Sequence, residues 1–300
     1  MKNLDLPFVF KQMRTGGYYL RDAEKQAIAA LTQPRLEGAR AMLVQGLQGV
    51  GKSSLAASLA QALDADLVVE QFHSWTSPEE LYQSINIHGL ADKVAGNEEA
   101  ETRRPGFLAR VAAASHKGLV VALGDEFDKT PERVENLFLD VLQSGRVPDG
   151  EGGHLLINMD NVVWVFTSNR MRRFSRVFLR RVRRVHMEPL PVKLVEELMM
   201  RSTGASHDLC RAIRKISGEV VQQIDGRSDT YASPQELTNL VNEILHGRKV
   251  GVITNRNGMT RALLGWIAED VETGFAKIEG SEHLQNRINA LWGLVKRETK

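Results

Sequence analysis

Eight consecutive residues, Gly46-Leu47-Gln48-Gly49-Val50-Gly51-Lys52-Ser53, constrain this chain more than any other feature. They satisfy the spacing G-x-x-x-x-G-K-[ST] without exception. They lie between an apolar run, Ala41 to Gln45, and a segment with apolar residues at helical spacing, Ser53 to Leu63. A strand, a glycine-rich loop and a helix in that order turn successive backbone N–H groups toward one anion at the positive end of the helix. Lys52 then reaches β and γ phosphates, and the Ser53 hydroxyl is placed to ligate Mg²⁺. From average residue usage the pattern arises by chance in roughly one chain of this length in a hundred. The flanking strand and helix disfavour a glycine turn carrying an incidental lysine. The candidate phosphate-contacting residues are Gly46, Gln48, Gly49, Val50, Gly51, Lys52, Ser53 and Ser54, with Ser53 also a metal ligand.

Two further apolar runs fit the same architecture. Leu119 to Leu123 is wholly apolar, as a parallel strand covered on both faces must be, and Val162 to Thr167 is rich in β-branched and aromatic residues. Pro131 to Leu142 has the apolar spacing of an amphipathic helix, with proline in its first turn. Alternating strands and helices predict an α/β sheet. Gly124, Asp125 and Glu126 follow the LVVAL strand, and open α/β sheets bind ligands at the carboxyl ends of their strands. Asp125 is thereby a candidate to hold Mg²⁺ through water, and Glu126 to orient and polarise the water attacking a γ-phosphate. Asn169, just beyond the VVWVFT strand, offers an amide that can bond the γ-phosphate or that water without adding negative charge. Asp128 and Lys129 read as structural or surface residues.

Near Pro189 and Pro191 the strand-like runs give way to helical segments. The expected division is an α/β nucleotide-binding domain over 1–190, with an N-terminal extension 1–35, and a helical lid and tail over 191–300. In the second part Ser233-Pro234 has the form of a helix start and Gly247 of a stop, and Arg261 to Val271 and His283 to Val295 read as further helices. Three hundred residues accommodate two such domains, and 42% hydrophobic with 25% charged residues excludes a disordered chain. The 39 basic and 37 acidic residues nearly cancel, so any charge argument is local. The single cysteine, Cys210, excludes an internal disulfide and a multi-thiolate zinc site. With neither a signal-peptide-like start nor a membrane-length apolar run, the expected address is cytoplasmic, without a membrane partner.

Taken together, the phosphate loop, the Asp125-Glu126 pair, the Thr167-Ser168-Asn169 strand end and Phe178-Leu179-Arg180-Arg181-Val182 resemble the AAA+ ATPases over about residues 35 to 245. Phe72 to Leu81, Arg104 to Leu108 and Asp140 to Val147 make the likeness strongest to the MoxR-like and dynein-related group that includes the CbbQ and NorQ type. The resemblance implies a parallel P-loop sheet followed by an all-helical lid, ATP and Mg²⁺ as cofactors, and nucleotide bound at subunit boundaries. It also implies a self-assembled ring, commonly a hexamer, or a filament, which remodels or activates a client protein. Arg180 or Arg181 matches the family's arginine finger, with Arg181 preferred as the one beside Val182. The loop reads phosphates rather than a base, so GTP in place of ATP stays open. The family's lid arginine in "SPR" is replaced here by Gln235, which has no cation to offer; Arg227 and Arg248 are candidate substitutes.

Eight arginines, Arg170, Arg172, Arg173, Arg176, Arg180, Arg181, Arg183 and Arg184, crowd into fifteen residues. Three uses compete: a subunit interface including the finger, contact with DNA or RNA phosphates, and a solvated basic face. The nucleic-acid use would make the chain an ATP-dependent regulator or loader in transposition, replication or defence.

Overall fold

The computed structural model describes residues 4–33, 38–85, 94–95, 103–149, 152–225 and 232–299. By compactness the chain divides into Met1–Glu188 and Pro189–Lys300.

The first unit is built on five parallel strands, in the order β2-β5-β8-β1-β9. These are β1 (Arg40–Gln45), β2 (Asp66–Gln71), β5 (Val120–Asp125), β8 (Val162–Ser168) and β9 (Arg183–His186). β5 and β8 lie inside the sheet and β8 is buried along its whole length, which is why their sequences are near-continuous apolar runs. β2 is an edge strand and leaves Leu67 and Val69 about two-fifths exposed. Two small antiparallel hairpins, β3 (Gln83–Ile85) with β4 (Arg103–Pro105) and β6 (Arg146–Pro148) with β7 (His154–Leu156), stand apart from it.

The helices of this unit include α1 (Leu6–Thr15), α2 (Asp22–Thr32), α3 (Lys52–Leu63), α4 (Pro78–Tyr82), α5 (Phe107–Ser115), α6 (Glu132–Ser144) and α7 (Arg176–Leu179). Pro131 is the N-cap of α6 rather than part of its first turn. One face of the sheet is filled by an aromatic cluster centred on Phe127. Its ring lies 5.2 Å from those of Phe72, Phe138 and Phe178, 4.7 Å from Phe166 and 5.7 Å from Phe174. Phe138, on α6, is fully buried and also meets Trp164 edge-on. Phe138→Ala is expected to destabilise this unit by about 3–5 kcal/mol, through lost transfer energy and the cavity left behind; urea unfolding followed by tryptophan fluorescence checks it.

The second unit is helical: α8 (Val192–Thr203), α9 (His207–Asp225), α10 (Pro234–Lys249), α11 (Arg256–Ile267), α12 (Val271–Glu279) and α13 (Glu282–Glu298). Its core includes Leu209, Ile213, Leu240, Ile244, Leu263, Ile288 and Leu291. A five-stranded parallel sheet flanked by helices and followed by helices alone is the P-loop fold with a helical lid. Two local expectations are corrected. Gly247 does not stop α10, which runs on to Lys249. A Cβ at Gly247 would come within 2.7 Å of the Ile253 side chain, so the glycine makes room for the chain folding back. The segment Arg261 to Val271 is not one helix, because α11 ends at Ile267 and Asp270 caps α12 by accepting from the Thr273 N–H.

Candidate active site

Because the sheet is parallel, the carboxyl ends of β2, β5, β8 and β1 lie along one edge, and each supplies a group to that edge. β1 runs into the phosphate loop, where Gly49 and Gly51 have left-handed backbone (φ 77 and 99) that side chains resist. Gly46 is required for a different reason: a Cβ there would stand 2.5 Å from the Met187 carbonyl oxygen. The loop ends in α3, whose first residue is Lys52.

Lys52 is only 8% exposed, and its Nζ donates to the Gly46 and Leu47 carbonyls at 3.1 and 2.7 Å. Burial pushes its ammonium below the ordinary lysine range, while the carboxylates of Asp125, Asp128 and Glu126 act in the opposite sense. The Ser53 hydroxyl lies 2.9 and 2.8 Å from the two Asp125 carboxylate oxygens. A hydroxyl and a hard carboxylate brought together in this way fit a magnesium ion that keeps most of its waters. Gln48 and Gly49 are exposed on the loop and Ser54 on the first turn of α3, and Val50 is buried. The Val50 carbonyl accepts from Arg21 of the N-terminal segment at 3.1 Å, and that arginine is paired with buried Glu24 at 2.7 Å.

Glu126 follows β5 in a left-handed conformation (φ 55), which its surroundings hold in place. Its N–H donates to the Thr167 hydroxyl at 2.9 Å, and that hydroxyl donates in turn to Asp125 through a short bond. The Glu126 carboxylate accepts from Lys129 at 2.8 Å, Gln71 at 3.2 Å and the Asn169 amide at 3.4 Å. The Lys129 bond, followed by the Gln71 bond, holds its pKa below the ordinary glutamate range against the effect of burial. Thr167, Gln71 and Lys129 are therefore part of the arrangement, although the sequence alone assigns them no role there. Only Lys129, three residues beyond Glu126, carries any local signal.

The arginine cluster is divided in its duties. Arg172 bonds Glu135 at 2.6 Å and the Thr130 carbonyl at 3.1 Å, and its guanidinium covers the Phe174 ring at 4.7 Å. Glu135 is itself 3% exposed, so Arg172 is a structural residue rather than a free phosphate contact. Arg170 bonds His186 at 2.9 Å, and Arg183 bonds the Arg184 carbonyl at 2.8 Å. Arg181 is engaged by Gln143 at 2.7 Å and the Val177 carbonyl at 3.2 Å. Arg173, Arg176, Arg180 and Arg184 are exposed, with no side-chain partner among the described residues. Arg176 and Arg180 are four apart at α7, on one face.

Ser233 caps α10 with a reciprocal bond from Glu236, and Gln235 bonds Asn239 at 2.9 Å. Arg248 lies 4.9 Å over the Trp292 ring and donates to the Ile253 carbonyl at 3.3 Å, so it is occupied within the helical unit. Arg227 falls outside the described residues. Among the described residues no helix is long and apolar enough to cross a membrane.

A phosphate loop between a strand and a helix, with an acidic pair at the end of another strand of the same parallel sheet, defines a P-loop nucleotide-binding protein. Residues 41–184 match the model of the AAA domain (dynein-related subfamily). The chain carries an AAA+ domain of the dynein-related type. Similar curated proteins include a chaperone protein ClpB of Porphyromonas gingivalis, 29% identical over 49% of this chain and 16% of that protein. ClpB of Aquifex aeolicus is 33% identical over 49% of this chain and 14% of that protein. ClpB of Bacillus cereus is 26% identical over a longer stretch, 75% of this chain and 26% of that protein. The chain thus spans at most about a quarter of the length of these relatives.

Proposed function

We propose that this protein is an oligomeric, Mg²⁺-dependent ATPase of MoxR-like type that couples ATP binding and hydrolysis to remodelling or activating a partner protein. The observation that carries the reading is the convergence of Lys52, Ser53, Asp125, Glu126 and Asn169 on one edge of the sheet, the last four linked through Thr167 in one network of hydrogen bonds. Bound Mg²⁺-ATP supplies the scissile phosphoanhydride and a metal that offsets phosphate charge. The chain's own residues do the rest. The Lys52 ammonium would exchange its two loop carbonyls for phosphate oxygens, and Ser53 with Asp125 would hold the metal. A Glu126 oxygen accepts the proton of the attacking water. The Asn169 amide keeps that water in line.

Hydrolysis is completed from the neighbouring subunit, by Arg180. Arg181 is already engaged by Gln143, whereas Arg180 reaches solvent from the end of α7. This reverses the preference for Arg181 drawn from sequence. A ring, hexameric as is common in this family, would seat each subunit's α7 against the next subunit's phosphates. The ClpB relatives are chaperones by name, which supports a protein client. The test is Lys52→Ala: titration calorimetry with ATP should show affinity about 10- to 100-fold weaker, the worth of lost hydrogen bonds to a charged group. Unchanged affinity would overturn the reading.

A further inference from the structure

Asp128 lies two residues beyond Glu126 in a single 3₁₀ turn, Phe127–Lys129, and only 2% of its surface is exposed. Its Oδ2 accepts from two backbone groups on the other side of the site, the N–H of Asn169 at 3.0 Å and that of Met171 at 2.7 Å. Between those two residues Arg170 takes a left-handed conformation (φ 64), and its N–H donates to the Ser168 hydroxyl at 3.0 Å. A bulky residue keeps such a backbone only when its surroundings fix it, and the double acceptance by Asp128 is what fixes it here. The bend brings the Asn169 amide to 3.4 Å from Glu126 and leaves the buried Asn169 Oδ1 without a partner. The other Asp128 oxygen, Oδ1, is also buried and unpartnered.

We infer that Asp128 is a positioning residue for hydrolysis, acting through Asn169: its Oδ2 sets the turn after β8 so that the Asn169 amide faces Glu126 and the water between them. The inference rests on the ATPase reading above. It is a claim about geometry and not about charge, and the two are separable. In Asp128→Asn the amide oxygen, standing where Oδ2 stands, still has two lone pairs for the two N–H groups. The amide nitrogen takes the place of the unpartnered Oδ1, where no donor opposes it. In Asp128→Ala both N–H groups lose their acceptor.

The experiment measures steady-state ATPase activity and, separately, nucleotide affinity in the full chain for D128N, D128A, N169A and D128A/N169A. D128A is expected to lower kcat about 10- to 100-fold, somewhat less than removal of an oriented transition-state donor, with nucleotide affinity within about threefold of wild type. D128N should keep at least about half of kcat, because it preserves both backbone bonds. Adding D128A to N169A should cost less than about twofold, since two residues acting through one group do not add. If D128N falls as far as D128A, or if the D128A and N169A losses multiply, the inference is overturned. Should D128A not fold, D128N decides alone, and a loss beyond about tenfold overturns the inference, since that variant keeps both backbone bonds. Failure of the ATPase reading looks different, because wild type would then turn over no nucleotide.

Discussion

Glu126→Gln should leave ATP bound and unhydrolysed, with turnover reduced about 10²- to 10⁴-fold, the usual worth of a positioned general base. The substitution is close to isosteric, so the bond from the Asn169 amide and the backbone bond from Glu126 to Thr167 can persist. What is lost is a basic oxygen. Lys129 and Gln71 hold this carboxylate ionised, and the low pKa they impose means the group is deprotonated before any substrate arrives. It has the correct protonation state, but must exchange these donors for water to act. Single-turnover hydrolysis and filter binding of ATP measured on the same sample give the two quantities. Wild-type turnover in purified Glu126→Gln would remove Glu126 from the mechanism.

Arg180→Ala should be still more severe, about 10³- to 10⁵-fold in kcat, as expected when an arginine supplied across a subunit boundary is lost. Nucleotide affinity should change little, because the phosphate loop of each subunit is intact. Arg181→Ala is the matched comparison: it removes bonds to Gln143 and Val177 within one chain and should reduce stability more than rate. Mixing Arg180→Ala with Glu126→Gln is the decisive form of the experiment. Each inactive protein carries the group that the other lacks, so mixed assemblies contain some complete sites and regain measurable turnover. No recovery on mixing, in samples shown to co-assemble, would place Arg180 outside the reaction. If Arg180→Ala instead keeps its turnover but loses DNA binding in a salt titration, the exposed arginines serve nucleic acid.

Much of the nucleotide-binding half was legible because its chemistry is local. The phosphate loop needs its residue types at fixed spacing, and the buried strands β5 and β8 admit little but apolar residues. β9 was not legible: of Arg183-Arg184-Val185-His186 only Val185 is buried, so no alternation or apolar run announces a strand. The same holds for the bonds around Glu126. Gln71 and Thr167 stand 55 and 41 residues away from it, and although Asn169 beside Thr167 reads as a site residue, nothing marks Gln71 or the Thr167 hydroxyl as partners of Glu126 until the sheet aligns their strands. The arginine cluster misleads for the opposite reason. Composition counts eight like charges, whereas Arg172 is committed to buried Glu135 and an aromatic face, a distinction that only packing makes.

Phe127 follows Glu126 directly and lies against Phe174 and Phe178, the rings on either side of the start of α7. The acidic turn proposed to face a subunit's own nucleotide and the arginine helix proposed to face its neighbour's therefore pack on one aromatic cluster. A change of volume at Phe127 is expected to be felt at both, through its contacts with Phe174 and Phe178. Substitutions at Phe127, Phe174 and Phe178 should accordingly be tolerated as compensating sets rather than singly.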